Sequence, residues 1–218
     1  EGASAVLALG PEREATVALA TGDGVVPSQH LGDVDGPAAQ FFHREAVDHL
    51  RDLTGVDPDV VACDEHPDFL TTAEAQSYAD DGFEGPVAVQ HHHAHAAGLL
   101  AEHGRDRAVV VAADGTGYGP DGTVWGGEVL DATLADFERV GGLDTFCLPG
   151  GETAVEYPAR TLAALLDETA LVDDRLVETG AVETQSDAAV VRQQAAQGVN
   201  APETTSAGRV LDAAAALV

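Results

Sequence analysis

The chain has no lysine and no methionine among its 218 residues, only two cysteines, one tryptophan and an aromatic content of 5%. Cys63 and Cys147 stand far apart, and neither belongs to a C-x-x-C pair. That excludes a zinc ribbon and a dithiol redox motif, and reduced thiols in the cytosol are the default expectation. No apolar run is long enough to span a bilayer, and no segment has the form of a signal peptide, so a cytoplasmic protein without membrane attachment is expected. Without methionine the sequence contains no native start. Its last stretch, from Leu211 to Val218, reads as an apolar helix with no C-terminal cap and no burying partner. The expectation is a piece of a longer protein.

The charge is one-sided. Thirty-eight acidic residues face ten basic ones, for a formal net charge of -28, and every basic residue is arginine. So negative a surface repels nucleic acid and anionic membranes. The acidity is spread along the chain rather than gathered in a tail. Dispersed acidity without lysine suits concentrated salt, where self-repulsion is screened. The sequence therefore reads as that of a salt-accumulating halophile. The apolar content of 44% is enough for a packed core.

Hydrophobic periodicity divides the chain into short elements. Strands are expected at 5–10, 15–20 and 25–29, a helix from about Pro37 to Thr54, a strand at 60–64, a helix from Thr71 to Tyr78 and a strand at 87–89. A histidine-rich helix follows and ends near His103 and Gly104. The pattern restarts near residue 107 with a strand at 108–113, strands near 125–130 and 137–142, and helices at 155–166, 187–197 and 208–218. The acidic stretch from Glu168 to Ser186 carries no clear element. This order of elements predicts an α/β fold with mixed sheets, with a first lobe over residues 1–105 and the start of a second over 106–218.

Chemistry concentrates in two places. The run Gln90-His91-His92-His93-Ala94-His95 puts His91 and His95 one helical turn apart, so both imidazoles point the same way, as the two histidines of H-E-x-x-H do around zinc. The run is interrupted by alanine and lies mid-chain, unlike an expression tag. Asp114 follows the apolar run Val109-Val110-Val111-Ala112-Ala113, and is expected at the carboxyl end of a strand, where open α/β sheets bind ligands. Two histidines and one carboxylate are a common but incomplete ligand set, compatible with iron, zinc or magnesium.

These residues lie within a longer series of ordered motifs. They are Ser28-Gln29-His30-Leu31-Gly32-Asp33, Val61-Ala62-Cys63-Asp64-Glu65-His66-Pro67-Asp68, the histidine run, and Asp114-Gly115-Thr116-Gly117-Tyr118-Gly119. Gly122-Thr123-Val124-Trp125-Gly126-Gly127-Glu128, Leu148-Pro149-Gly150-Gly151 and Thr205-Ser206-Ala207-Gly208-Arg209-Val210-Leu211-Asp212-Ala213 complete the series. Nearly end to end, the chain resembles the C-terminal, TsaD-like domain of the HypF carbamoyltransferases of nickel–iron hydrogenase maturation. The resemblance implies an actin-like ATPase and sugar-kinase (RNase H-like) fold of two lobes with mixed sheets, the second lobe truncated. It implies a divalent metal held by His91, His95 and Asp114. It also implies ATP-derived carbamoyl adenylate, made from carbamoyl phosphate, at a phosphate-approach turn of Gly115, Thr116 and Gly117 with Tyr118 beside them. The carbamoyl group would pass to the C-terminal cysteine of HypE. No catalytic residue is assigned.

Other residues carry open readings. His92 and His93 face away from the ligand pair and are assigned to its support or to packing. His66-Pro67-Asp68 is a substrate contact or a structural turn, Cys63 a buried small hydrophobe, Trp125 a core residue, and Arg209 an anion ligand at a helix start or a solvated arginine. The sequence also departs from the family pattern. Alanine stands in place of a tryptophan before Arg160, the stretch 166–203 is short, and a glycine-rich adenosine motif and a last aspartate ligand are expected beyond Val218. An O-carbamoyltransferase of small-molecule hydroxyls and a non-catalytic remnant are the alternative readings. The TsaD-type tRNA enzymes are more distant, since they lack D-G-T-G-Y-G and the acidity disfavours tRNA.

The net charge of -28 generates a first prediction. Raising potassium chloride from dilute to molar should raise the thermal unfolding midpoint by several degrees, because screening relieves self-repulsion in the folded state. A flat or falling midpoint would remove the halophile reading.

Overall fold

The computed structural model describes residues 4–218. Short apolar runs form the first three strands, β1 (Val6–Leu9), β2 (Val17–Thr21) and β3 (Gly24–Pro27). Leu7 and Leu9 of β1 pair with Leu19 and Val17 of antiparallel β2, and all four side chains turn to the buried face, as the period of two requires. Helix α1 (Pro37–Thr54) has proline in its first turn and ends at Gly55, whose left-handed φ of 67° returns an N–H to Arg51 O. His43, Val47 and Leu50 form its buried stripe. Strand β4 (Val60–Asp64) then pairs parallel to β1, helix α2 (Leu70–Asp80) crosses back, and β5 (Glu84–Val89) pairs parallel to β4. The sheet order is β3-β2-β1-β4-β5. It is mixed because the hairpins give antiparallel neighbours and the helical crossovers give parallel ones.

The chain folds as two compact units that divide after His91. Helix α3 (His91–Glu102) explains the position of the division. Its Ala96 and Leu100 pack with Trp125, Leu130 and Ala132, so α3 goes with the second unit, whereas the sequence reading sets the boundary at 105/106, past its end.

The second unit continues with a long antiparallel hairpin, β6 (Arg107–Tyr118) and β7 (Val124–Thr133), with β8 (Phe137–Gly142) on β7. After β9 (Phe146–Cys147) come four helices, α4 (Glu152–Glu156), α5 (Ala159–Leu165), α6 (Thr169–Glu178) and α7 (Gln185–Gln197). Strand β10 (Glu203–Thr204) pairs parallel to β7 and antiparallel to β9, and α8 (Ala207–Ala215) follows it. This second sheet is mixed as well. Among the described residues no helix is long and apolar enough to cross a membrane.

Three local expectations change. The single helix expected over 155–166 is two, because Pro158 has no N–H to donate and Tyr157 before it takes φ -122° and ψ 83°, outside the helical region. The acidic stretch from Glu168 holds α6, whose Val172 and Leu176, four apart, are fully buried against Ala188 and Val191 of α7. Finally, β6 does not stop before Asp114. Ala113 pairs with Gly127 and Gly117 with Trp125, so two extra residues bulge from β6 while the ladder continues to Tyr118.

In the first unit, His43 Nδ1 and Glu74 Oε1 lie 3.0 Å apart and fully buried between α1 and α2. Tyr78 packs against the same core. Burial, then the charges of Glu74 and Asp48, push its phenol up to about 12. Below its ordinary value near 10 the phenol is neutral whether folded or unfolded. Above it, only the unfolded chain ionises freely, so stability is lost as pH rises from there through about 12. Denaturant titrations across that interval should show a steeper loss for the parent than for Tyr78→Phe. Equal slopes would contradict the assignment.

Candidate metal centre

The strand β5 feeds directly into α3, and Gln90, the single residue between them, is buried. His91 and His95 project from the first two turns of α3, one turn apart. Asp114 stands at the start of the β6 bulge. One ligand atom from each of the three lies within 4.8 Å of the other two. Ligand atoms around an ion at about 2.1 Å stand no more than about 4.2 Å apart, so less than an ångström of closure completes the coordination. The donor set, two imidazole nitrogens and a carboxylate oxygen, suits a divalent transition ion.

The supporting contacts favour that use. His91 Nδ1 lies 3.0 Å from Asp64 Oδ2, so that Nε2 is the atom it could offer to an ion. Asp64 is the last residue of β4, and its other oxygen accepts the His66 N–H at 2.9 Å. Burial pushes the Asp64 carboxyl up, but the bonds from His91 and from the His66 backbone, with the charges of both imidazoles, outweigh it and hold it below the usual carboxylate range. Asp64 is therefore an anion that orients His91. The sequence reading places Asp64 inside a motif and gives it no role. The available signal is an aspartate at the end of a strand neighbouring the one that enters the histidine helix.

The other histidines serve different ends. His92 is fully buried, with Nε2 3.4 Å from Asp114 Oδ2 and its ring stacked 6.5 Å from Trp125. His93 Nε2 lies 3.0 Å from Thr133 O, beside the ring of Phe137. His92 thus stands behind Asp114 and His93 is a packing residue. The Cys63 thiol is pushed up by burial and then by the Asp64 charge, which suits a buried apolar group and not a thiolate. His66 stacks on Phe69 with 3.9 Å between ring centroids, and its Nδ1 accepts the Asp68 N–H at 3.2 Å, so His66-Pro67-Asp68 is an ordered turn.

The residues of the expected phosphate-approach turn, Gly115 to Gly117 with Tyr118, lie within β6 and its bulge. Gly115 and Thr116 lie in the bulge, while Gly117 and Tyr118 pair with Trp125 and Val124. The Gly115 N–H donates to Asp114 Oδ1 at 2.6 Å. Behind the bulge the backbones are too close for side chains. A Cβ on Gly126 would sit 2.6 Å from Asp114 O, and one on Gly127 would sit 2.3 Å from Thr205 O. The fully buried Glu128 fixes this floor. Its Oε2 accepts the N–H groups of Gly126 and Gly127 at 2.7 and 2.5 Å, while Oε1 accepts from Arg139 at 3.1 Å and from the Thr205 hydroxyl.

Two family profiles match the chain, "HypF Kae1-like domain" over residues 1–102 and "Carbamoyltransferase, Kae1-like Domain, second subdomain" over 110–218. Carbamoyltransferase HypF2 of Cupriavidus necator is 43% identical over 214 residues, 98% of this chain and 26% of that protein. A HypF homolog of the same organism is 39% identical and covers 96% of this chain and 54% of its own. The crystal structure of T. kodakarensis HypF superposes with a TM-score of 0.87 at 34% identity, over 100% of this chain and 30% of that one. A full-length HypF in its phosphate- and nucleotide-bound form gives 0.84 at 34% identity, over 100% and 34%. The chain thus spans from about a quarter to about half the length of these relatives.

The donor cluster carries its own prediction. Purified with zinc or iron supplied, the chain should hold close to an equimolar amount by elemental analysis, and His91→Ala/His95→Ala should hold almost none. Asp64→Asn should weaken metal affinity by roughly 10- to 100-fold, the usual effect of removing a ligand's orienting partner. Full metal content in the double variant would refute the assignment.

Proposed function

The chain belongs to the HypF carbamoyltransferase family, and from that membership we propose that it is the acceptor-side region of an enzyme that carbamoylates a protein thiol. The donor is carbamoyl adenylate, formed from carbamoyl phosphate and ATP. The acceptor is the C-terminal cysteine of HypE, and the product serves cyanide-ligand synthesis in nickel–iron hydrogenase maturation. The observation that carries the reading is the convergence of His91, His95 and Asp114 within a chain matched by both parts of the Kae1-like domain.

The transfer balances simply. The thiolate sulfur attacks the carbamoyl carbon, a C–S bond forms, the C–O bond to the phosphate breaks, and AMP leaves with the bond's electrons. A divalent ion at the cluster would act as a Lewis acid on the adenylate's phosphate and carbonyl oxygens. The protein's part is to hold that geometry before the reaction begins. Asp64 fixes the ring of His91 at 3.0 Å, and His92 stands 3.4 Å from the Asp114 carboxylate. Gly126 and Gly127, pinned by Glu128, support the bulge that presents Asp114. Nucleic acid is not a substrate on this reading, because the surface charge opposes it.

The test uses the full-length protein that contains this region, with carbamoyl phosphate, ATP and HypE. The parent should add a carbamoyl mass to the HypE C-terminal cysteine. His91→Ala should lower that transfer by at least about 100-fold, the scale of losing one strong electrostatic stabiliser, while still forming carbamoyl adenylate. A parent that ignores HypE and carbamoylates a small-molecule hydroxyl would replace this reading with an O-carbamoyltransferase. Undiminished thiol transfer by the variant would remove the cluster from the mechanism.

A further inference from the structure

Arg209 is not the solvated arginine that its position on a helix would allow. Its side chain is only 15% exposed, and its Nε is buried with no hydrogen-bond partner. The packing of the preceding residues explains where it lies. The Ser206 hydroxyl donates to Gly115 O at 2.5 Å and accepts the Arg209 N–H at 3.0 Å, which ties the first turn of α8 to the β6 bulge. A Cβ on Gly208 would sit 2.8 Å from Gly115 Cα, so the two backbones touch. The next side chain, Arg209, is thereby laid over Gly115, with Nη2 3.4 Å from the position a Cβ there would take. Gly115 directly follows the candidate metal ligand Asp114.

The ion pair with Asp212, 3.0 Å from Nη2, accounts for one nitrogen of the guanidinium. It does not account for the rest. A pair spaced i,i+3 on a helix is a weak reason to bury a charge, and an orphaned buried N–H is a cost that native structures rarely keep without use. With no side chain on Gly115, Nη2 lies against the bare face of the residue that follows Asp114. In a chain with a net charge of -28, a guanidinium here is a local positive site in a negative field. Its planar fork matches the oxygens of a phosphoryl group.

We propose that Arg209 binds the phosphoryl oxyanion of the ligand over Gly115, with Asp212 holding the guanidinium until the ligand displaces it. The assignment rests on the function proposed above in one respect, that the ligand carries a phosphoryl group. It differs from it in what it requires, since binding can be measured without transfer.

Equilibrium dialysis of the chain with radiolabelled inorganic phosphate and, separately, with AMP tests it. Arg209→Gln should weaken binding at least tenfold, and Arg209→Lys should fall between it and the parent, keeping the charge but losing the fork. Gly115→Ala supplies a second route. Its φ is not left-handed, and the added methyl meets only Arg209 Nη2, so it should fold normally and still weaken binding by covering the approach. Metal content should be unchanged in all three. Loss with both probes assigns the bare phosphoryl group, and loss with AMP alone assigns a nucleotide monoester; either supports the proposal. It is overturned if the parent binds neither probe, or if folded Arg209→Gln binds as the parent does. Should Arg209→Gln fail to fold, parental affinity in Gly115→Ala overturns it equally. Arginine-dependent phosphate binding in a protein whose full-length form carbamoylates nothing would retain Arg209 and discard the transfer reading.

Discussion

The buried carboxylate of Glu128 is the constraint on which the second unit's site depends. It is wholly excluded from solvent, yet both oxygens are bonded, two backbone N–H groups on one and Arg139 and Thr205 on the other. A buried charge is tolerable only with such complete compensation. The consequence is positional. Glu128 draws Gly126 and Gly127 of β7 tight against the carbonyls of Asp114 and Thr205, at distances that exclude any Cβ. The same residue thus fixes the strand beneath the bulge, and the segment that leads into α8. Arg139 extends the arrangement outward, with its guanidinium 4.6 Å from the ring centre of Trp125, whose Nε1 donates to Asp121. The W-G-G-E motif is a mechanical support built on hydrogen-bond satisfaction.

Arginine without lysine follows the same logic. Several of the ten guanidiniums are used as forks. Arg107 binds both oxygens of Asp131, and Arg192 both oxygens of Asp173. Arg160 spans Pro149 O at 2.7 Å and Gln194 Oε1 at 2.8 Å, and so ties the Leu148-Pro149-Gly150-Gly151 turn to α7. Gly150 takes a left-handed φ of 98°, which strains any other residue, with Arg160 Nη2 2.9 Å from where its Cβ would be. With 38 acidic side chains in the sequence, ten arginines cannot pair the rest, and the surplus relies on solvent and salt. Specific geometry is assigned to the few cations, and solubility to the many anions.

The sheets and most helices are legible in the sequence because they obey simple periods. Burial alternates along β1, β2 and β4, and α1 carries its stripe between a first-turn proline and a left-handed glycine. What escapes does so for identifiable reasons. Helix α6 buries only Val172 and Leu176, and its acidic residues imitate a loop. The bulge in β6 reads as a strand end because Gly115 and Gly117 are turn residues by composition. Nothing local in the sequence shows that a partner strand continues past them; that information lies in Val124 and Trp125, several residues further on. Asp64 goes unnoticed because its role needs two elements to meet, the end of β4 and the first residue of α3. Pairings between distant segments are what a reading of local pattern lacks.

The histidine run shows how far local pattern can nonetheless reach. Four imidazoles within five positions would be a single polar cluster on a strand or in a loop. On a helix, successive residues turn by about 100°, and the same letters separate into three chemistries. His91 and His95 share a face with Asp114, His92 enters the core against Trp125, and His93 reaches the carbonyl of Thr133. The helical period alone separates His91 and His95 from their neighbours. It cannot say what each neighbour meets, because those contacts come from β6, β7 and β8. The arrangement therefore arises in two steps, first from the pitch of α3, which sorts the imidazoles, and then from the strands, β4 supplying Asp64 to His91 and the hairpin supplying Asp114, Trp125 and Thr133 to His92 and His93.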